Sequence, residues 1–509
     1  MKIFSLDHRW WLVGIVLFGF FWNLGNAPLF DEDEGFFAEG TREMALRGDF
    51  IATYVNQEPR FDKPPLTNWL QYLSAQLLGW TEAAMRLPSA LAALGWMLLL
   101  YRFVRRALGE REAFFATLMA TCSLQITIIG KAALADSLLN AFLAGAMFCL
   151  YEVLQKVTFK YLLAFYGFTA LGFLAKGPIA VLVPGAVTGL YLLRWRAWKP
   201  LLRVLHPLGM LLFLGLALPW YWLQYRQMGQ AFIDGFFFNH NLNRFQTAFE
   251  GHYGGVLYFV PVLLLGTLPY TAVVLSALGQ VRRLWADRYL SFHLLWFGFV
   301  FVFFSFSGTK LHHYLVYGYT PLFVLGARYL VESKRLPVMW PALALLLLLA
   351  GVPFGLPWVL PYVQDAYAVA VMQGAAAEFG LPYLLTMGLL MGLVVLVGFR
   401  KTWSQELRAL LVGGVLLVTV NGLWMPRLGN LLQRPIKEAA LLAKEKDDQR
   451  LVVLDHYTPS FHFYSGRFAQ ERAPRPGDTV LARKDRLVDF PTKIILYEKY
   501  GIVLARLPD

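Results

Sequence analysis

Apolar residues run through this chain in long blocks, with polar residues gathered into the stretches between them. A run needs about 20 residues to cross a bilayer as a helix. Runs of that order lie at roughly 10–26, 84–101, 113–130, 134–151, 159–175, 178–193, 202–223, 254–278, 289–306, 311–330, 338–361, 380–398 and 407–425. The pattern predicts an all-α polytopic membrane domain of about thirteen transmembrane helices over residues 1–426. A further apolar stretch, 66–80 (LTNWLQYLSAQLLGW), reads either as a surface helix or as another span. Past Pro426 the pattern changes to a helix at 434–446 and strand-like runs at 451–455, 479–482 and 493–498. Residues 427–509 are therefore expected to form a small α/β soluble domain. At about 80 residues such a domain is marginal alone and should lean on the membrane domain. No internal repeat or low-complexity segment is evident.

Charge adds orientation. The basic residues fall in alternate connections: Lys2 and Arg9; Arg102, Arg105, Arg106 and Arg111; Lys156 and Lys160; Arg194, Arg196, Lys199 and Arg203. The series continues with Arg282, Arg283 and Arg288; Arg328, Lys334 and Arg335; Arg400, Lys401 and Arg408. By the positive-inside rule these connections and the N-terminus are cytoplasmic. The intervening loops, including 27–83 and 226–253, then face outward, and an odd number of spans puts the C-terminal domain outside too. The net charge of +13 is thus topological, suited to an anionic inner leaflet, and calls for no nucleic-acid partner. The chain is 57% hydrophobic and only 16% charged, as a multi-pass protein of the inner (plasma) membrane should be. Cys122 and Cys149 lie within spans and read as small buried hydrophobes rather than a disulfide. The first apolar run lacks a small-residue cleavage site, so it is expected to be the first span rather than a cleaved signal.

The acidic residues concentrate at 30–65, just after that first span. Asp31, Glu32, Asp33 and Glu34 share one turn. Asp31 followed by Glu34 fits an N-capping pair, and acids in a first helical turn suit the macrodipole. Four in a row beside a membrane surface exceed what capping needs. The helix should run to about Arg47 and end at Gly48-Asp49, with Glu39, Arg42 and Glu43 paired along one face. In Phe61-Asp62-Lys63-Pro64-Pro65 the prolines hold the loop extended. Asp62 and Lys63 either pair with each other or offer a carboxylate for a metal and an ammonium for an anion.

Other polar residues mark the outward ends of spans: Lys131 and Asp136, Lys176 before Gly177-Pro178, and Lys310 followed by His312, His313 and Tyr314. The 226–253 loop adds His240, Asn241, Arg244, Glu250 and His252 among aromatic residues. Arg244 is a further anion ligand candidate. His240 and His252 have metal-ligating side chains, but their spacing matches no compact metal motif. All of these map to the side of the acidic loop. Carboxylates and cations converging on one leaflet predict a cavity for a charged substrate, and the cations suit a phosphate.

These motifs, taken in order, resemble the GT-C class of integral-membrane glycosyltransferases that use polyprenyl-phosphate sugars. The likeness is nearest to lipid A aminoarabinose transferases, with protein O-mannosyltransferases more distant. It is carried by Asp33-Glu34 and FAEGTREM, FDKPPL, RLPSAL at 86–91, GKAALAD at 130–136 and LAKGPIAVLVPG at 174–185. NLNRF at 241–245, VPVLLLGTLPY at 260–270, GTKLHHYL at 308–315 and YTPSFHFYSGR at 457–467 complete it. The resemblance implies a GT-C-like fold and an inverting sugar transfer to an envelope glycolipid, such as lipid A, or to a protein on the outer face. A polyprenyl (undecaprenyl) phosphate would carry the sugar, with no nucleotide. It implies Asp33, with Glu34 and Asp136, as catalytic carboxylates. Lys63, Arg244 and Tyr314, joined by Lys310 and Arg60, would bind the lipid phosphate. Asp62 and His240 would be ligands for a divalent metal ion.

Several positions depart from the family pattern. Phe36 stands for an Arg, Arg60 for a Tyr before FDK, Asp62 for a Glu, Asn241 for a His, and His312-His313 for Pro-Thr. A protein O-glycosyltransferase of the same class is the alternative within the family. A flippase for a polyprenyl-linked lipid is the alternative outside it, although repeat symmetry and midplane polar residues, which transporters commonly show, are not apparent.

Overall fold

Seven helices among the described residues of the computed structural model are long and apolar enough to cross a membrane. They are Glu82–Ala107, Ala135–Gln155, Pro207–Met228, Arg288–Ser305, Met339–Tyr362, Leu381–Phe399 and Gln405–Leu432. The structure describes residues 8–509 except 157, 248–250, 252, 334, 401, 447–449 and 455–457. Lys2, Glu250, His252, Lys334, Lys401 and Tyr457 of the sequence argument lie outside the described residues.

The remaining apolar runs form helices that are shorter, broken or, as in Phe159–Lys176, less apolar. Run 113–130 breaks at Ser123 into Glu110–Cys122 and Leu124–Ile129. Run 254–278 breaks around Pro269 into Phe259–Gly266 and Thr271–Leu278. The two breaks meet: the Leu124 N–H donates to the Leu268 carbonyl at 2.9 Å. Irregular backbone within an apolar layer survives only where other protein groups satisfy it, and each break supplies the other's partner. Run 311–330 begins as a 3₁₀ segment, His312–Gly318, before the α-helix Tyr319–Ser333. Hydropathy does not register these breaks, because the side chains stay apolar across them.

Burial sorts the helices. Ala135–Gln155 is 83% buried over its apolar window and runs through the centre of the bundle. Met339–Tyr362 is only 11% buried and turns Leu347, Leu348, Phe354 and Trp358 outward. Such faces are costly in water and suited to lipid.

The acidic segment folds into the helix Asp33–Arg47, a hairpin of Thr53–Val55 and Glu58–Arg60, and the helix Leu66–Leu78. Gly48 closes the first helix in the left-handed region (φ 65°), a conformation that suits glycine. Arg42 forks onto Glu39 at 2.7 and 2.6 Å, the predicted internal pair. Glu43 accepts from the Gln57 N–H at 3.1 Å and so ties the hairpin to the helix. Leu66–Leu78 has 13 residues, too few to span, and is the surface helix of the two readings. It buries Asn68 and Gln71 on Thr41 while Leu73 and Leu77 face outward.

Beyond the last bundle helices, Leu451–Leu454, Thr479–Arg483, Ile502–Arg506 and Ile494–Lys499 form a four-stranded sheet in that spatial order. The first pair is parallel and the others antiparallel. Ile502–Arg506 and the helix Pro459–Ser465 are additions to the sequence reading. One face of the sheet, with Ile436, Ala439 and Phe461, shares an apolar cluster with Leu29, Ala38, Ala84 and Ala133. The sheet thus packs on the acidic segment. Asp31 strengthens this contact by accepting from the Ser460 N–H at 2.9 Å and from its hydroxyl. Its carboxylate caps a helix more than 400 residues away in the chain, rather than pairing with Glu34 as the local spacing suggested. Burial there pushes its pKa up to about 7.

Candidate functional site

The charged motifs between the apolar runs meet around two cavities. The first, about 390 Å³, is lined by Asp62, Lys63, Lys176, His240, Arg244, Tyr314 and Tyr317, with Phe237, Phe303 and Phe304 as apolar walls. The second, about 490 Å³, is lined by Asp31, Asp33, Glu34, Arg86, Lys131 and His312. The 3₁₀ segment His312–Gly318 separates them, giving His312 to one and Tyr314 and Tyr317 to the other.

Local packing sets each cation. Phe61, just before Asp62, lies against Gly235, where a Cβ would come within 2.7 Å of its ring, and it stacks edge-on to Phe232. This anchors Asp62 and Lys63 to the π-helical segment Ile233–Asn243, which carries His240. π-Helical turns are rare and recur at functional sites. Lys176 ends the helix Phe159–Lys176; Gly177 (φ 88°) terminates it, and a Cβ there would meet Phe236 at 2.8 Å. Arg244 is held by backbone pairing across chain segments: Gly308 N–H to Phe245 O at 2.6 Å and Thr309 N–H to Arg244 O at 3.2 Å. A Cβ at Gly308 would sit 2.7 Å from the Thr247 backbone. Gly308→Ala is therefore expected to displace Arg244 and weaken binding of a phosphate-bearing ligand in the first cavity about 10-fold, read from a binding titration.

Charges pair unequally across the site. Asp62 receives Arg60 bidentately at 2.7 and 2.7 Å, and Lys63 lies at 3.7 Å. Burial alone would raise the Asp62 carboxyl, but Arg60 and then Lys63 outweigh it and hold its pKa far below the usual range. Lys63 donates to the Asp62 carbonyl at 3.0 Å. Burial lowers its pKa to about 8; Asp62 opposes the shift, and Arg244 and Lys176 add to it. Burial also brings His240 down to about 4, leaving its imidazole neutral at pH 7. Asp136, in the first turn of the central helix, takes Lys176 at 2.6 Å and Tyr317 at 3.2 Å, with His313 at 4.0 Å. Its carboxylate therefore reaches the first cavity through Lys176.

Glu34 and Asp33 are adjacent in sequence and opposite in environment. Glu34 is buried and accepts from Arg86 at 2.8 and 2.6 Å, from the Phe30 N–H at 2.9 Å and from the Ala133 N–H at 2.7 Å. Arg86 also donates to the carbonyls of Leu24, Ala27 and Pro28. Burial would raise the Glu34 carboxyl, but Arg86 overrides it and keeps it ionised. Asp33 is exposed at the wall of the second cavity, with no hydrogen bond or ion pair among the described residues.

Of the expected phosphate ligands, Lys63, Arg244 and Tyr314 come together in the first cavity. Lys310 does not join them. Its ammonium sits on the carbonyls of Phe304, Ser305 and Ser307 at 3.1, 2.6 and 2.6 Å, capping the helix Arg288–Ser305. Arg60 lies over the Phe36 ring at 3.4 Å and forks onto Asp62, behind the residues that line the cavity. Lys176, which the sequence marks as a cation closing an apolar run directly before Gly-Pro, joins Lys63, Arg244 and Tyr314 in the lining. The Arg86 partnership with Glu34 has no local signal in the sequence. The expected divalent ion fits these residues poorly: both Asp62 oxygens are taken by Arg60, and no group of three His, Cys, Asp or Glu side chains converges among the described residues.

The fold and these cavities define a polytopic membrane protein with a charged site in a helical bundle. The dolichyl-phosphate-mannose-protein mannosyltransferase family profile matches residues 62–222. An uncharacterized protein of Aquifex aeolicus is 32% identical over 327 residues, 63% of this chain and 73% of that protein. The undecaprenyl phosphate-alpha-4-amino-4-deoxy-L-arabinose arabinosyl transferase of Aeromonas salmonicida is 31% identical over 336 residues, 64% of this chain and 60% of that enzyme. The crystal structure of ArnT from Cupriavidus metallidurans bound to undecaprenyl phosphate superposes with a TM-score of 0.83 at 19% identity, covering 98% of each chain. The chain belongs to the GT-C class of integral-membrane glycosyltransferases. It matches about 60% of the length of the Aeromonas enzyme.

Proposed function

We propose that this protein moves a sugar from undecaprenyl phosphate to a phosphate-bearing envelope glycolipid, such as lipid A, on the outward face of the membrane. The observation that carries this reading is the pair of cavities, one lined by Lys63, Lys176 and Arg244 and the other by Asp33 and Lys131, on either side of a single 3₁₀ segment. The first would hold the donor. Its three cations face the lipid phosphate, and its phenylalanine wall faces the first isoprene units. The relatives act on, and the ArnT structure holds, the same lipid phosphate.

Transfer breaks the bond between the anomeric carbon and the phosphate oxygen, so the leaving lipid phosphate gains negative charge. Cations fixed in a buried cavity stabilise that charge at little reorganisation cost. The acceptor oxygen attacks from the opposite side of the sugar, which gives inversion. If that oxygen is a hydroxyl, its proton goes to Asp33. If it belongs to a phosphate, no proton needs removing, and Asp33 orients the acceptor. Asp136 and Glu34 act by position in this reading, the first holding Lys176 and the second holding Arg86.

Orientation follows the charge pattern. Arg105 and Arg106 lie in the last turn of Glu82–Ala107, and Arg86 at the cavity lies near its start. With the basic end cytoplasmic, both cavities and the C-terminal sheet face outward.

Mass spectrometry of envelope lipids from cells with and without the protein tests the reading. The expected result is a mass difference of one sugar on lipid A or another glycolipid, absent with Asp33→Asn at equal membrane level. Unchanged lipids, with glycoproteins also unchanged, would overturn it. Lys131 gives a pH test. Burial, followed by the charge of Arg86, lowers its pKa to about 8. Its positive charge is therefore present below that pH and lost above it. The KM for an anionic acceptor is expected to rise as pH passes through about 8, and this rise should vanish in Lys131→Arg.

A further inference from the structure

Phe36 and Arg60, separate departures in the sequence, touch in the fold: the Arg60 guanidinium lies over the Phe36 ring at 3.4 Å. The guanidinium also lies beside Asp62 and forks onto its carboxylate. We infer that Arg60 is the built-in counter-cation of Asp62, and that this protein orders its donor-phosphate loop without a divalent metal. The inference rests on the donor-site reading above.

Three observations converge on it. The fork is bidentate, Nε to Oδ1 and Nη2 to Oδ2, both at 2.7 Å, so each carboxylate oxygen already has a charged partner in good geometry. The guanidinium is preorganised. Its backbone is paired in the hairpin register Thr53↔Arg60, and its face is covered by Phe36. The local charge is also wrong for a metal. Arg60, Lys63 and Arg244 all act on His240, with Asp62 as the opposing carboxylate. A divalent ion would add two positive charges to three cations and one anion, and only after displacing Arg60. Asp62 and His240 together offer two donors where protein zinc sites commonly supply three or four.

Arg60 is thus a positioning residue. It holds Asp62, whose carbonyl takes the Lys63 ammonium at 3.0 Å and whose carboxylate lies 3.7 Å from it. The fork does what a bridging ion would do, keeping the Asp62-Lys63 turn in one conformation with Lys63 facing the cavity.

The test is elemental analysis of the purified full-length protein, Zn²⁺ titration by calorimetry, and donor-dependent transfer with and without chelator. The wild type is expected to carry no stoichiometric divalent metal, to bind Zn²⁺ weakly, and to keep its kcat/KM after chelation. The reciprocal variant Phe36→Arg/Arg60→Tyr should release Asp62 and tighten Zn²⁺ binding by about 10-fold or more, within the range that ligand-supporting contacts command. Adding Asp62→Asn should abolish that gain, a result that loss of packing alone would not produce. Arg60→Lys keeps the charge without the fork and should stay metal-free with a raised donor KM. Stoichiometric metal in the wild type that Asp62→Asn removes, or chelation-sensitive transfer restored by the metal, would overturn the inference. The wild-type measurements decide the matter even where a variant fails to fold. Metal content and Zn²⁺ affinity do not depend on transfer, so their outcome is separate from that of the lipid mass measurement.

Discussion

Lys63→Ala is expected to lower kcat about 10²–10³-fold, the usual cost of removing one preorganised donor from a developing oxyanion. The ammonium is half-buried at the first cavity, tethered to the Asp62 carbonyl at 3.0 Å, and faces a site shared with Lys176 and Arg244. A phosphodiester donor carries one negative charge and the departing lipid phosphate approaches two. Lys63 therefore binds the transition state more tightly than the ground state, and the loss should fall on kcat as well as KM. Lys63→Arg should retain part of the rate because it keeps the charge. Steady-state transfer from an undecaprenyl-phosphate sugar in detergent reads both parameters. Wild-type kcat in Lys63→Ala at normal membrane level would remove the first cavity from the mechanism.

Arg86→Ala is expected to destabilise the protein by about 3–5 kcal/mol, because it strands a buried carboxylate. Glu34 and Arg86 are both buried and meet through two hydrogen bonds of 2.6 and 2.8 Å. Arg86 also gathers the carbonyls of Leu24, Ala27 and Pro28, which fix the entry to the acidic helix. Glu34→Gln should cost less, since an amide oxygen still accepts from part of this set. The double variant Glu34→Gln/Arg86→Ala should recover some of the loss, as a thermal unfolding series in detergent would register. Additive effects of the two changes would show that the pair is not coupled. Asp33 is carried by the same turn, so Arg86→Ala should also depress transfer, whereas Asp33→Asn should depress transfer and leave the melting temperature unchanged.

Much of the site was legible because its residues are unusual for their surroundings. Lys176 at the end of an apolar run, and Lys63 and Arg244 in loops among apolar and aromatic residues, are costly there unless used, and all three do line the first cavity. The C-terminal sheet was read correctly for three of its four strands; Ile502–Arg506 passed unnoticed because it follows a positive-φ turn at Tyr500-Gly501 almost at the chain end. Lys310 was misread as a phosphate ligand for an equally physical reason. A lysine after a helix end has two ways to satisfy its charge, an anion or the helix's last carbonyls, and sequence spacing is the same for both. Here the carbonyls of Phe304, Ser305 and Ser307 take it.

By itself, the sequence determined the class of protein, the clustering of charge between apolar runs, and the residue types available for phosphate chemistry. These follow from hydropathy, from the distribution of basic residues, and from ordered motifs, all of which are written along the chain. Tertiary structure alone decided which carboxylates are engaged and which is open. Asp31, Asp33 and Glu34 are nearly contiguous, yet Asp31 caps a helix through Ser460, Glu34 is buried under Arg86, and Asp33 lines a cavity. In the same way Asp62 was matched to Arg60 by a hairpin, and Asp136 to Lys176 across two helices. The charge state and availability of a carboxylate depend on its burial and its nearest cation. In this fold those cations arrive from 52 and 40 residues away for Glu34 and Asp136, a distance over which residue spacing carries no information.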